Sequence, residues 1–128
     1  MTDITVVLII APVGRLRDSL RVLLRASNHV EHVDQADNVF AGLRMAADFA
    51  PALVLLDVNA PGNGIEQDVR QIRALRPQPA CVVLTYTASQ EHQARAAGAD
   101  GVLRAGASAE AFFATVEGAI QKSREIEG

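Results

Sequence analysis

From Ala52 to Leu56 the chain runs through five apolar residues without a break, and the run ends on a carboxylate, Asp57. That length is too short for a membrane span and fits a strand covered on both faces. Val58-Asn59-Ala60-Pro61-Gly62-Asn63-Gly64 follows, and this is turn chemistry, because Pro presets φ while Gly and Asn accept φ > 0. Asp57 therefore stands where a buried strand opens into a loop. In open parallel sheets ligands bind at that edge. A carboxylate there could serve as a nucleophile, a metal ligand or a cap on the next helix.

The same alternation of buried strand and amphipathic helix recurs along the chain. Thr5–Ile10 is rich in β-branched residues and predicts a first buried strand, broken by Ala11-Pro12-Val13-Gly14. Between Arg15 and Ala26, Leu16, Leu20, Leu23 and Leu24 form one stripe, with Arg15, Arg17, Asp18 and Arg21 on the other face. Ser27-Asn28-His29 stops that helix, and Val30–Asp34 alternates as a half-exposed edge strand does. Asn38 caps a second helix that turns Val39, Phe40, Leu43, Ala47 and Phe49 inward until Pro51 ends it. A third helix starts near Gly64, with Ile65, Val69, Ile72 and Leu75 in one stripe, and Arg76-Pro77-Gln78-Pro79 closes it.

Ala80–Thr85 is a fourth buried strand that again finishes on a polar side chain. Ser89 caps a fourth helix whose inward face is only Ala94 and Ala97, so it should be the least firmly packed. Gly98-Ala99-Asp100-Gly101 turns the chain into a short fifth strand, Val102–Ala105. Ser108 caps the last helix, with Phe112, Val116, Ala119 and Ile120 inward and a polar tail from Gln121. Five strands alternating with five helices through short connections predict an α/β domain over residues 1–128. Its sheet is parallel and doubly wound, with right-handed crossovers.

Composition narrows the function. A net charge of −3 without a Lys/Arg run argues against a nucleic-acid surface. The one thiol, Cys81, rules out an internal disulfide framework and suits a reducing compartment; it reads as a small core residue. Met1-Thr2-Asp3 lacks the basic start of a signal peptide, so the cytoplasm is the expected location. His29, His32 and His92 have no metal-ligand spacing and are expected at the surface.

The residues that follow the strands share one rim: Ala11-Pro12, Asp57, Thr85 and Arg104-Ala105. Leu53-Val54-Leu55-Leu56-Asp57 with Pro61, then Val82–Thr85, then Ala97-Gly98-Ala99-Asp100-Gly101, resemble the receiver domain of bacterial response regulators, and so does the leucine helix 16–24. The resemblance covers nearly the whole chain in one register. It implies a flavodoxin-like strand order 2-1-3-4-5 and phosphoryl transfer from a kinase phosphohistidine onto Asp57. It assigns Thr85 to the hydroxyl that bonds the phosphoryl group, and the carbonyl of Asn59 to helping hold Mg²⁺. It also implies a sensor histidine kinase or another signalling protein as partner. The fourth helix, fifth strand and fifth helix would form the output or homodimer face.

The pattern departs from the family at several positions. The acidic pair that holds the metal is Ala11 and Pro12, and the lysine ending the fifth strand is Ala105. The small residue after the threonine is Tyr86, and the stretch from Thr85 to Gly98 is about two residues short. The Pro61 loop reaches Gly64 one residue early. Arg104 neighbours the missing lysine, but adjacent strand residues face opposite ways, so it substitutes only if the strand bulges. Tyr86 either fills the emptied pocket or faces a partner. The expectation is an atypical, non-enzymatic receiver with weak Mg²⁺ binding or none, signalling through protein contacts. Two other classes fit less well. A flavodoxin-type binder needs a phosphate-cradling loop, and Ala11–Gly14 offers one Gly and no hydroxyl. An aspartate phosphatase wants a second acid where Asn59 stands.

Overall fold

The computed structural model describes residues 6–27 and 30–127. Thr5, Asn28 and His29, named above, lie outside them. In chain order the elements are β1 (Val6–Ile10), α1 (Arg15–Arg25), β2 (His32–Ala36), α2 (Val39–Phe49), β3 (Leu53–Asp57), α3 (Ile65–Arg73), β4 (Ala80–Thr85), α4 (Ala88–Ala96), β5 (Gly101–Arg104) and α5 (Ala109–Glu127). The five strands form one sheet in the order β2-β1-β3-β4-β5, all neighbours parallel. This is the doubly wound, flavodoxin-like α/β fold that the alternation and the resemblance predict.

Strand residues two apart share a face, so each central strand feeds both layers. Val7, Ile9, Leu53, Leu55, Val82 and Leu103 pack with Leu20 and Leu24 of α1 and Phe112 and Val116 of α5. Leu8, Ile10, Val54, Leu56 and Val83 pack with Val39 and Ala46 of α2, Val69 and Ile72 of α3, and Ala94 of α4. Every residue of β3 and β4 is buried, as expected for strands read from unbroken apolar runs.

Four expectations need correction. The edge strand is β2 at His32–Ala36, two residues later than the alternation of Val30–Asp34 suggests, because pairing with β1 runs from Val6–His32 to Ile10–Ala36. In α2 the buried residues are Val39, Gly42 and Ala46, whereas Phe40 (71% exposed), Ala47 and Phe49 (53% exposed) face out. Gly42 explains the rotation, since a Cβ there would overlap the Ile10 side chain and the helix backbone uses that space instead. Leu16 is largely exposed, and Arg17 does not lie on a solvent face. Its Nη1 donates to the Ala11 carbonyl at 3.3 Å and to Asp37 at 2.5 Å. Finally, α4 is capped by Thr87, whose hydroxyl accepts from the Gln90 N–H at 3.1 Å; Ser89 lies inside the helix.

Candidate functional site

β3 delivers Asp57 to the carboxyl rim, where the carboxylate is only 3% exposed. The turn behind it is fastened by backbone. The Ala60 N–H donates to the Asp57 carbonyl at 2.9 Å, and Val58 N–H to Leu84 O at 3.1 Å. Pro61 O accepts from Val39 N–H at 2.9 Å, which ties the loop to the start of α2. Gly62 closes the loop against α3 and α2, since a Cβ there would overlap Asp68 Oδ2 and approach Val39 Cγ2 to 2.7 Å. The buried Asp68 accepts from Asn63 N–H at 2.9 Å. Pro61 and Asn59 thus belong to a loop whose backbone is fixed, and Asn59 N–H donates to Asp57 Oδ1 at 2.9 Å.

The second group on Asp57 is Tyr86. Its hydroxyl lies 3.1 Å from Oδ1 and 3.0 Å from Oδ2 and so caps both carboxylate oxygens. The ring packs against the α1/α5 side of the core. Burial, then the Asp57 charge and the hydrogen bond to it, push the Tyr86 hydroxyl up to about 12, while the Asn59 side chain acts in the other direction. The phenol therefore keeps its proton at neutral pH and stays a donor.

The remaining rim residues supply little charge. Ala11 is buried and Pro12 half-buried, so neither offers an oxygen ligand from its side chain. Ala105 is half-buried in the α1/α5 core, with its N–H on Thr85 O at 2.8 Å. Thr85 is fully buried, and its hydroxyl has no hydrogen-bond partner among the described residues. Arg104 pairs with Thr85 in the ladder, on the face opposite Leu103. Its guanidinium lies 3.4 Å from Glu91 of α4 rather than on Asp57, so no strand bulge brings it to the lysine position. Among the described residues Asp57 has no ion-pair partner, and no cluster of three metal-ligating side chains occurs. One carboxylate engaged at both oxygens, plus one loop carbonyl, does not fit Mg²⁺, which prefers an open octahedron of hard oxygens.

Sequence reasoning missed a further buried carboxylate, away from this rim. Asp100, in the turn before β5, accepts from Arg73 Nη1 at 2.7 Å and from Cys81 N–H at 2.8 Å. It locks α3 to β4. Only its position in a Gly-rich turn was visible beforehand. Likewise Arg17, on α1, looked like a solvated charge but braces the end of β1.

No family model matches the chain. It is 25% identical over 109 residues to a transcriptional regulatory protein, YdfI, of Bacillus subtilis (strain 168), covering 83% of this chain and 50% of that protein. The chain thus spans about half the length of the curated relative it matches. A LuxR-family DNA-binding response regulator from Silicibacter pomeroyi superposes with a TM-score of 0.77 at 25% identity, over 92% of this chain and 93% of that one. A putative response regulator from Chloroflexus aurantiacus gives 0.84 at 19% identity, over 93% and 99%. A CheY-like receiver domain protein from Methanospirillum hungatei gives 0.79 at 18% identity, over 98% and 100%. No helix among the described residues is long and apolar enough to cross a membrane.

Proposed function

We propose that this chain, which has the receiver-domain fold of response regulators, serves as a receiver module in two-component signalling and transmits its signal through protein contacts. Asp57 is its acceptor acid, in a site stripped of the usual cations. The observation that carries this reading is the place of Asp57: the carboxyl end of the central strand β3, buried, with no cation paired to it among the described residues.

The chemistry such an acid performs is simple to balance. An Asp57 oxygen attacks phosphorus, the phosphorus–nitrogen bond of the phosphohistidine breaks, and its electron pair returns to the imidazole nitrogen, leaving an acyl phosphate. Attack brings a carboxylate and a phosphoryl group together, so like charges must be offset. Each missing preorganised partner costs roughly 3–4 kcal/mol, or 10²–10³ in rate. With Ala11, Pro12 and Ala105 at the partner positions, phosphorylation is slow or absent. Output then rests on the α4–β5–α5 surface, which meets a signalling protein or a second copy. α4 suits that role because Ala94 is its only buried residue, so little apolar burial holds it.

Intact mass after incubation with phosphoramidate and Mg²⁺ tests this reading. The expected result is a substoichiometric adduct that Asp57→Asn abolishes, with a binding partner whose affinity does not follow the adduct. Rapid, complete labelling would contradict the depleted site. Labelling that survives Asp57→Asn would remove Asp57 as the acceptor.

A further inference from the structure

Tyr86 joins three things that the chain otherwise keeps apart. Its hydroxyl caps Asp57 at 3.0 and 3.1 Å, and its ring lies against the α1/α5 core. Its own N–H donates to Gln90 Oε1 on α4 at 2.8 Å, and the next residue, Thr87, caps that helix. The residue that carries the ring is thus the one that fastens the start of α4, so a shift of that junction moves the hydroxyl relative to Asp57. On the other side of that junction, Thr85 is fully buried, and its hydroxyl has no partner among the described residues. An orphaned buried hydroxyl beside a capped acid is a cost carried by the closed arrangement, and an oxygen entering the rim would relieve it.

We infer that Tyr86 is an autoinhibitory latch: its hydroxyl, spanning both oxygens of Asp57, closes the carboxylate to incoming electrophiles, and a shift of the β4–α4 junction that carries it opens the site. The inference rests on the reading of Asp57 as the acid of this module and names how that acid is regulated. One proton shared by two oxygens covers the edge of the carboxylate from which a nucleophilic oxygen would attack. The ring behind it fills the room an electrophile would need. Because α4 buries only Ala94, the opening movement meets little packing resistance there. A protein that draws α4 outward uncovers Asp57, and one that clamps α4 against β5, where Glu91 meets Arg104, keeps it covered.

The chain has one tyrosine and no tryptophan, so tyrosinate absorbance reports Tyr86 alone. In an alkaline titration of the folded chain, with Tyr86→Phe as the blank and circular dichroism as the check of folding, the wild-type midpoint should lie at about 12. Asp57→Asn removes the carboxylate's charge and its hydrogen bond but not the burial, so it should lower the midpoint part of the way. A midpoint that Asp57→Asn leaves unchanged overturns the latch. The second readout is modification of the Asp57 peptide by a water-soluble carbodiimide and glycine ethyl ester. Tyr86→Phe should speed it about tenfold over wild type, the equivalent of one hydrogen bond to a charged group, and Tyr86→Ala, which also removes the ring, should speed it further. Equal rates in all three chains overturn the closure. Neither readout involves a phosphoryl donor, so a chain that never takes phosphate still shows the latch. Failure of the latch leaves phosphorylation of Asp57 to be scored separately.

Discussion

Asp57 and Tyr86 stand 29 positions apart in the chain, yet the phenol oxygen lies within 3.1 Å of both carboxylate oxygens. A hydrogen-bond donor has taken the place beside the acid where a receiver keeps a small residue and room for a phosphoryl group. The contact has a consequence for stability as well as for reactivity.

The Tyr86 hydroxyl is raised from 10 to about 12 in the folded chain, and the unfolded chain releases that proton first. Between those two values the unfolded state binds fewer protons than the folded one, so stability falls as pH rises. Below the unfolded value the contribution is fully present. Urea midpoints measured from neutral pH up to pH 12 should fall for wild type across this window, beyond any decline in Tyr86→Phe. Parallel curves for the two chains would show that the bond contributes nothing.

Phe40 and Phe112 should respond oppositely to truncation. Phe112 is 2% exposed at the centre of the α5 face, and Phe112→Ala should cost about 3–5 kcal/mol. Phe40 is 71% exposed, with the Arg44 guanidinium over its ring, so Phe40→Ala should stay within about 0.5 kcal/mol. Denaturant titration of both variants checks the rotation of α2, and a large loss for Phe40→Ala would contradict it.

That rotation shows where the sequence stops being informative. The alternation of strands and helices, caps such as Asn38 and Ser108, and the buried stripes of α3 and α5 follow from periodicity and polar punctuation, the strand order from the family resemblance, and these agree with the structure. α2 is apolar on more than one side, so periodicity alone admits two stripes. The choice between them is made by the close approach of Gly42 to Ile10, a contact between distant parts of the chain. At the rim, the place of Asp57 is legible because a strand must end somewhere, whereas its partner is not. Whether Tyr86 turns in or out depends on the β4–α4 junction, and no local pattern encodes that. Arg17 and Asp100 escaped notice for a related reason: a charged side chain looks solvated until the fold brings its partner.

Asp100 should matter far more than a turn residue usually does. Its side chain is 1% exposed and accepts from both Arg73 and the Cys81 N–H. Asp100→Ala strands a buried N–H and unpairs a partly buried guanidinium, a loss of roughly 3 kcal/mol. The same carboxylate, after burial itself, helps push the Cys81 thiol up to about 12, against the pull of Arg73. In wild type a maleimide should leave Cys81 unmodified under native conditions, and Asp100→Ala should expose it through more frequent opening. Equal urea midpoints for the two chains would contradict the clamp.

Central to the proposal is Asp57 as a receiver-type acid whose cationic partners are gone and whose approach Tyr86 blocks. Rebuilding the site tests it most directly, by substituting Ala11→Asp, Pro12→Asp, Ala105→Lys and Tyr86→Ala together and following phosphoramidate labelling with Mg²⁺ by intact mass. The rebuilt chain, folded by circular dichroism, should take up one phosphate on Asp57 at least about 100-fold faster than wild type. Wild type labelling as fast as the rebuilt chain, or a folded rebuilt chain that takes up none, would contradict the claim.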